Sequence, residues 1–214
     1  YNDGSIEKIV TDESWQVAPG PVVRNNIYIG EHYDARLERK DWLLSKTSGA
    51  WKNAESVRGP FGQLSVQMQP AIKVTRVLKP VSLIEFKPGI YIADMGQNFA
   101  GVARIRVKGP AGTKITMRFG EALFDDGSMN VMTSVATQIK KGGIKAGPGA
   151  PETMWQEDSY ILKGGGEESW APKFTFHGFR YVEITGWPGK PTLNDIDGLR
   201  MNSDLPAKGN FSCS

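Results

Sequence analysis

The chain has 214 residues, of which 39% are hydrophobic and 23% are charged, and its formal net charge is +3 at pH 7. This composition excludes a disordered chain, and no apolar run approaches the ~18 residues that a membrane helix needs. The 26 Lys and Arg residues are spread along the sequence without the basic clusters of a nucleic-acid groove. We therefore expect neither nucleic acid nor a membrane as a partner. A single cysteine, Cys213, excludes an internal disulfide.

The first 77 residues consist of short extended runs broken by turn signals. Pro19-Gly20-Pro21 separates two strand-sized pieces, and the segment from Glu31 to Arg36 is compatible with a helical turn or with an irregular loop. Leu64 to Val77 alternates between apolar and polar residues on both sides of Pro70. A proline inside a strand pattern marks an edge strand or a crossing between modules.

Residues 78–205 contain a more regular series of strand patterns. Gly109-Pro110-Ala111-Gly112 is a tight turn between two alternating runs, which predicts a β-hairpin. The segment Ser128 to Glu152 has no pattern, and its Gly, Pro and Lys content predicts a surface loop. The predicted strands are Val81 to Phe86, Ile90 to Ala93, Gly101 to Lys108, Thr113 to Phe119, Gln156 to Lys163 and Thr192 to Met201.

The stretch from Trp170 to Gly189 is the most strongly patterned part of the chain. It alternates like a strand, breaks at Gly178, alternates again and stops at Pro188-Gly189. Apolar residues on both faces predict an inner strand pair of a sandwich core. Since no long helix is evident and strands recur every ~8–12 residues, we predict an all-β fold built from antiparallel β-sandwich or jelly-roll modules.

Side chains that could carry chemistry are few. His32 and His177 are far apart in sequence, and they fall in what are predicted to be different modules. Neither has the spacing of a metal site, and no G-x-S-x-G nucleophile motif is present. Metal and serine catalysis are therefore not indicated, and His177 is interpreted as a structural histidine.

Carboxylates are the other route to catalysis, because glycoside hydrolysis needs two of them across a sugar ring. The Asp125-Asp126-Gly127-Ser128 run is a turn signature, and Asp94 is predicted to lie in a turn at a strand end. No pair stands out as catalytic. The candidates are Glu31, Asp34, Asp94, Glu121, Asp125, Asp126 and Glu183.

Three blocks of the sequence stand out in chain order: TDESWQVAPGPVVRNNIYIGEHYDARLE, IADMGQNFAGVARIRVKGPAGTKITMRFGEALFDDGSMN and QEDSYILKGGGEESWAPKFTFHGFRYVEITGWPG. Together they resemble bacterial alpha-L-rhamnosidases, which are inverting enzymes of glycoside hydrolase family 78. The first block resembles the end of that family's N-terminal jelly roll, and the other two resemble the β-sandwich that precedes its catalytic barrel. The Lys140 to Pro151 stretch departs from the family pattern as an insertion.

The resemblance implies a division into the end of a jelly-roll domain at 1–77, a concanavalin-like β-sandwich at 78–205, and the start of a link to a catalytic barrel at 206–214. The chain is then a non-catalytic fragment whose parent hydrolyses terminal alpha-L-rhamnosides with two barrel carboxylates. It implies three associations: its own helical barrel as partner, a rhamnose-containing glycan as ligand, and a secreted or periplasmic location.

Some members of the family bind rhamnose through calcium in the N-terminal jelly roll. The resemblance therefore implies calcium as the candidate cofactor. Oxygen-bearing and aromatic side chains near Gly30 suit such a site, because calcium takes six to eight oxygen ligands and aromatic rings stack on sugars. Two alternatives to the enzyme-fragment hypothesis are a free-standing carbohydrate-binding module and a purely structural domain. The candidate binding residues are Trp15, Asn25, Asn26, Glu31, Tyr33 and Asp34.

Overall fold

A computed structural model describes residues 1–44, 49, 51–59, 61–135, 154–206 and 208–213, so the predicted insertion from Lys140 to Pro151 lies outside the described residues. The described part is all-β apart from three single 3-10 turns, Ala35–Leu37, Val131–Thr133 and Leu193–Asp195. No helix in this part is long and apolar enough to cross a membrane. The strands are β1 (Gln16–Val17), β2 (Val22–Asn26), β3 (Gly30–Asp34), β4 (Lys52–Asn53), β5 (Ile72–Leu78), β6 (Ser82–Lys87), β7 (Ile90–Lys108), β8 (Lys114–Gly120), β9 (Glu157–Ile161), β10 (Glu167–Trp170), β11 (His177–Thr185) and β12 (Ile196–Ser203).

Ten of these strands form one curled sheet, in the order β2-β3-β9-β8-β11-β7-β12-β5, with β6 and β10 also paired to β7. All pairings are antiparallel except that of β3 with β9, which is parallel. β1 and β4 form a separate two-stranded ribbon. The predicted all-β sandwich is therefore confirmed. β5 lies at the edge of the sheet, as the nearby Pro70 predicts.

β7 organises the sandwich, because its two halves belong to different layers. The half that begins at Ile90 pairs with β11 and β6, whereas the half from Gly101 pairs with β12 and β10. The strand bends where the register with β11 shifts, between Asp94 and Phe99. Gly96 takes φ +75° there, and its N–H donates to Asp94 Oδ1 at 2.7 Å. The predicted turn at Asp94 is thus wrong: it is a bend inside one 19-residue strand.

The predicted hairpin across Gly109–Gly112 is also wrong. β7 and β8 are not paired with each other, since β11 lies between β8 and the first half of β7. The turn instead carries the chain from one layer to the other. A hairpin turn and a layer-crossing turn have the same glycine-rich signature between alternating runs, so the local pattern could not separate them.

The Trp170 to Gly189 stretch is divided differently from the prediction. β10 ends at Trp170, a loop follows over 171–176, and β11 runs through Gly178 with an irregularity between Phe179 and Tyr181. β11 lies between β8 and β7, so the prediction of an inner strand is confirmed. Phe174 and Phe176 are exposed in the loop, in contrast to the predicted core strand.

The core lies between the two layers, where side chains from β8 and β11 meet those from the second half of β7. Ile115, Met117 and Phe179 are fully or almost fully buried, and so are Ile105 and Ile196 from the opposite layer. Each such side chain contributes about 1.5–3 kcal/mol through removal of apolar surface from water. This packing gives a rigid base for the polar groups at the β3-β9 junction.

Candidate functional site

Glu31 is a buried carboxylate that holds a loop in place. It is 1% exposed, and its Oε2 accepts backbone N–H bonds from Lys173 at 2.9 Å and from Phe174 at 2.8 Å. These two donors belong to the loop between β10 and β11. Since a strand and not a helical turn begins at Gly30, the side chain of Glu31 points to one sheet face and reaches that loop. Glu31 is thus a structural acceptor.

Asp158 joins three parts of the sheet with one side chain. Its Oδ1 accepts the backbone N–H of Glu31 at 2.8 Å, and its Oδ2 lies 2.9 Å from His177 Nε2. The other ring nitrogen of His177 lies 3.2 Å from Gln156 Oε1, and the Phe119 ring stacks on the imidazole at 4.1 Å. Both side chains of the Asp158–His177 pair are fully buried, so this pair links β3, β9 and β11 out of reach of a substrate.

His32 contacts the residue next to Asp158. Its Nδ1 lies 2.8 Å from Ser159 Oγ, because β3 runs beside β9 with His32 opposite Ser159. Burial lowers the pKa of His32, and the charges of Lys114 and Arg24 lower it further. The structure therefore brings the two histidines, which the sequence assigns to different modules, onto adjacent residues of β9.

An aromatic cluster lies on the other side of the β3-β9 junction. Tyr33 stacks on Tyr160 at 5.7 Å, and Trp170 lies 5.1 Å from Tyr160 and 5.9 Å from Tyr33. Tyr160 donates its hydroxyl to the buried Glu168 at 2.8 Å. Burial and Glu168 raise the pKa of Tyr160, while burial followed by Glu38 raises the pKa of Tyr33 to about 12. Both phenols are therefore neutral hydrogen-bond donors. Sequence analysis did not predict Tyr160 or Trp170 as site residues, although both lie in the block that begins at Gln156 and resembles the family.

The six predicted binding residues do not converge on one point. Glu31 is engaged with the 171–176 loop, and Asp34 binds Arg36 through both carboxylate oxygens, which lowers the pKa of Asp34. Tyr33 belongs to the aromatic cluster and donates to Glu38. The remaining three are exposed: Trp15 donates its indole N–H to Val10 O, Asn26 accepts the N–H of Tyr28 in a turn, and Asn25 lies on β2.

Calcium does not fit these side chains. The ion needs six to eight oxygen ligands, whereas Oε2 of Glu31 and both carboxylate oxygens of Asp34 already accept N–H donors of the protein. Within the described residues, no group of three or more His, Cys, Asp or Glu side chains could hold a metal ion. We derive no role for calcium from this set.

The other candidate carboxylates each have a structural partner or an exposed turn position. Asp94 forms a bidentate ion pair with Arg180, with both distances 2.9 Å, and this bonding lowers the pKa of Asp94. Glu121 accepts from Asn98 at 2.8 Å, and Glu183 lies 3.8 Å from Arg118. Asp126 caps its own turn through Ser128, as the Asx signature predicts, and Asp125 is exposed in that turn.

Two concave sites lie near Tyr33. One is a cleft of about 340 Å³ between β3, β9 and β10, which includes Tyr160, Trp170 and Glu168 in its lining. The larger, about 620 Å³, lies between the β1-β4 ribbon and the segment that follows β3, and we call it the Trp51 cleft. Sequence reasoning missed the Trp51 cleft, because its walls come from segments with no regular pattern. Its lining includes Pro19, Pro21, Tyr33, Leu37, Trp42 and Trp51.

The curled sheet, antiparallel except at the β3-β9 pair and folded into two packed layers, defines a β-sandwich. Residues 84–202 match the family model of the bacterial alpha-L-rhamnosidase concanavalin-like domain, and residues 1–76 match that of the alpha-L-rhamnosidase N-terminal domain. The chain therefore belongs to the bacterial alpha-L-rhamnosidase family.

Individual relatives agree with this assignment. An alpha-L-rhamnosidase structure from Dictyoglumus thermophilum superimposes with a TM-score of 0.87 at 39% identity, over 100% of this chain and 22% of that one. The structure of Streptomyces avermitilis alpha-L-rhamnosidase complexed with L-rhamnose superimposes with a TM-score of 0.80 at 36% identity, over 96% of this chain and 19% of that one. A Formosa agariphila alpha-L-rhamnosidase is 35% identical over 100% of this chain and 21% of its own length. The chain spans about a fifth of the curated relatives it matches.

Proposed function

We propose that this chain is the non-catalytic β-sandwich part of an alpha-L-rhamnosidase, and that the whole protein hydrolyses terminal alpha-L-rhamnosides. In the inverting mechanism of such enzymes, one carboxylic acid protonates the leaving oxygen and a second carboxylate activates water, roughly 6.5–9.5 Å away. Both groups would belong to a helical barrel, which is the partner that we propose for this chain. The substrate would be a rhamnose-containing glycan outside the cytoplasm, in the periplasm or the medium.

One observation carries the proposal. The chain matches its relatives over almost its full length, yet it spans only about a fifth of theirs. The carboxylates near the surface support the same division of labour, since Asp94 and Glu183 face arginines and Glu121 accepts from Asn98. The cleft of about 340 Å³ is lined by Glu31, Glu38, Glu167 and Glu168, and three of these, Glu31, Glu38 and Glu168, accept hydrogen bonds from the protein itself.

The test is hydrolysis of an aryl alpha-L-rhamnoside by the purified chain. We expect no release of the aryl alcohol above that in buffer, because Glu31, Glu38 and Glu168 in the cleft of about 340 Å³ are held by hydrogen-bond donors of the protein. A rate that scales with the concentration of the chain would contradict the proposal. An intact alpha-L-rhamnosidase from Streptomyces avermitilis is the positive control for the substrate.

Rhamnose binding is a second candidate function for the same chain. The Streptomyces avermitilis relative is complexed with L-rhamnose, and this favours a search for a sugar site here. Asn25, Asn26 and Trp15 are exposed and offer polar atoms and an aromatic ring, whereas the carboxylates of Glu31 and Asp34 are engaged within the protein. A purely structural sandwich that binds only its barrel is the alternative.

Isothermal titration of the chain with L-rhamnose, with and without added calcium, distinguishes rhamnose binding from a purely structural role. Heat of binding at about 1 mM sugar that Asn26→Ala abolishes would support rhamnose binding through the β2-β3 turn. Absence of heat in both titrations would exclude it and leave the structural role.

A further inference from the structure

The Trp51 cleft contains a buried donor without an acceptor. Trp51 Nε1 is shielded from solvent and has no hydrogen-bond partner among the described residues, while the Arg39 guanidinium lies over the Trp51 ring at 5.1 Å. A buried N–H left unpaired is unfavourable, and the large majority of buried polar groups in folded proteins are paired. The cleft volume of about 620 Å³ falls within the usual range of ligand sites. The site is therefore suited to a ligand that supplies an acceptor.

The charge of the cleft favours an anionic ligand. Glu38, the carboxylate in its lining, has both oxygens occupied: Tyr33 donates to Oε1 at 3.1 Å and Lys163 to Oε2 at 2.6 Å. Lys40 also lines the cleft, is exposed, and forms no ion pair with the residues that the structure describes. The carboxylate is thus used internally, while the buried indole N–H of Trp51 has no acceptor and the Lys40 ammonium has no ion-pair partner among the described residues.

The walls of the cleft favour a ring that presents an apolar face. Trp42 is 61% exposed, and the rings of Tyr33 and Trp51 contribute further aromatic surface beside Pro19 and Pro21. Aromatic side chains bind rings that combine an apolar face with polar edges, as a pyranose does. A neutral sugar would satisfy the aromatic walls but would leave the charge of Lys40 unused.

We propose that the Trp51 cleft binds a uronic acid residue of an acidic glycan. The sugar ring packs against the aromatic walls, an oxygen accepts the N–H of Trp51, and the carboxylate lies near Lys40. This site is separate from the β2-β3 turn of the rhamnose candidate, and it does not require rhamnosidase activity in the whole protein.

The test compares methyl β-D-glucuronide with methyl β-D-glucoside, two sugars that differ in a carboxylate and a hydroxymethyl group. We expect the glucuronide to bind about fivefold more tightly in an NMR titration at low salt, and to shift the indole N–H signal of Trp51. Equal affinity for both sugars, or no binding of either at about 10 mM, would overturn the proposal. L-Rhamnose, titrated alongside, reports the other candidate function independently.

Two substitutions and two matched controls locate the site. Trp51→Phe keeps an aromatic ring but removes the donor, so we expect about fivefold weaker binding; Trp155→Phe, in the other half of the chain, leaves affinity unchanged. Lys40→Gln reduces the preference for the glucuronide to below about twofold, whereas Lys52→Gln on β4 does not. Unchanged binding by both cleft variants would refute the site even if the glucuronide binds.

Discussion

At the scale of single residues, the buried carboxylates of this chain hold backbone and side chains together. Glu31 accepts two N–H bonds from the loop between β10 and β11, and Asp158 accepts from β3 while contacting His177 on β11. A carboxylate that accepts backbone N–H bonds is strongly stabilising, because its removal leaves buried donors unpaired. The loop that carries the exposed Phe174 therefore depends on a residue more than a hundred positions earlier in the chain.

Glu31→Gln is expected to lower the free energy of unfolding by about 1–3 kcal/mol, because two backbone donors lose a charged acceptor. Urea unfolding followed by circular dichroism measures this change. Glu55→Gln, at an exposed position, is the control and is expected to stay within about 0.5 kcal/mol of the parent. Equal stability of the two variants would show that the Glu31 contacts contribute nothing.

The stability of the folded chain is expected to depend on pH through His32. Its pKa in the folded chain is lowered by burial, Lys114 and Arg24, so the unfolded chain binds more protons below the ordinary value of about 6.5. Stability is thus greatest above that pH and falls as the pH drops from about 7 toward 5. The free energy of unfolding of His32→Gln, measured by urea titration at about pH 7 and about pH 5, should fall less between the two pH values than that of the parent. Since His177 is present in both proteins, an identical slope would contradict the role of His32.

At the scale of elements, β7 determines how the two layers meet. Its bend near Gly96 moves the chain from pairing with β11 and β6 to pairing with β12 and β10. Gly101 lies just after the bend, where a Cβ atom would come within 2.0 Å of Leu199 O on β12. The neighbouring strand approaches so closely there that a side chain cannot be accommodated.

Gly101→Ala is therefore expected to destabilise the chain by about 3 kcal/mol, since β12 must move to make room. Thermal unfolding measures the effect as a lowered midpoint. Gly166→Ala serves as the control, because nothing lies within 4 Å of the position that its methyl group would take. A Gly101→Ala protein as stable as the Gly166→Ala protein would mean that the β7-β12 spacing adapts at no cost.

A second element-scale prediction concerns the segment before β5. Leu64, Val66 and Met68 are 100%, 87% and 93% exposed, and residues 61–71 form no strand. The triple change Leu64→Ser, Val66→Thr and Met68→Gln should leave the thermal midpoint unchanged and reduce self-association in sedimentation velocity, because it removes exposed apolar surface. Val102→Thr, at a 2% exposed position, is the contrasting variant and should lower the midpoint. A lower midpoint for the triple variant would show that the segment packs on the sandwich.

At the scale of the whole molecule, one sheet connects the early and the late parts of the sequence. β3 pairs with β9 in parallel, and the buried Asp158 bonds to Glu31 N across that junction. A parallel pairing between segments more than a hundred residues apart has no local turn to support it, so side-chain contacts must hold it. Tyr33, stacked on Tyr160, supplies such a contact.

Hydrogen exchange provides the whole-molecule test. The amides of β3 are expected to exchange as slowly as those of β9, because the two strands open together. The measurement is the exchange rate of peptides that cover Gly30–Asp34 and Glu157–Ile161 by mass spectrometry. Fast exchange of the first peptide beside a protected second one would show that the two parts of the chain unfold separately. Asp158→Asn should speed exchange in both peptides, because it weakens the bond to Glu31.

Alternation of apolar and polar residues was enough to predict an all-β chain and the inner position of β11, because side chains on a strand face opposite sides in turn. Family membership was also readable from sequence, through the three blocks that begin at Thr11, Ile92 and Gln156. The strand ends were less accurate: Phe174 and Phe176 continue the pattern, yet they lie in a loop held by Glu31.

Only the tertiary structure decided which strands are neighbours and which polar residues meet. Contacts between distant segments determine that β7 and β8 do not pair across Gly109–Gly112 and that β7 bends. They also bring His32 and His177 onto adjacent residues of β9. The Trp51 cleft likewise needs the β1-β4 ribbon and the segment after β3 to come together. Local sequence determines the conformation of each strand through sterics and side-chain alternation. Strand pairing and clefts follow from the packing of the whole chain, and no short stretch of sequence contains that information.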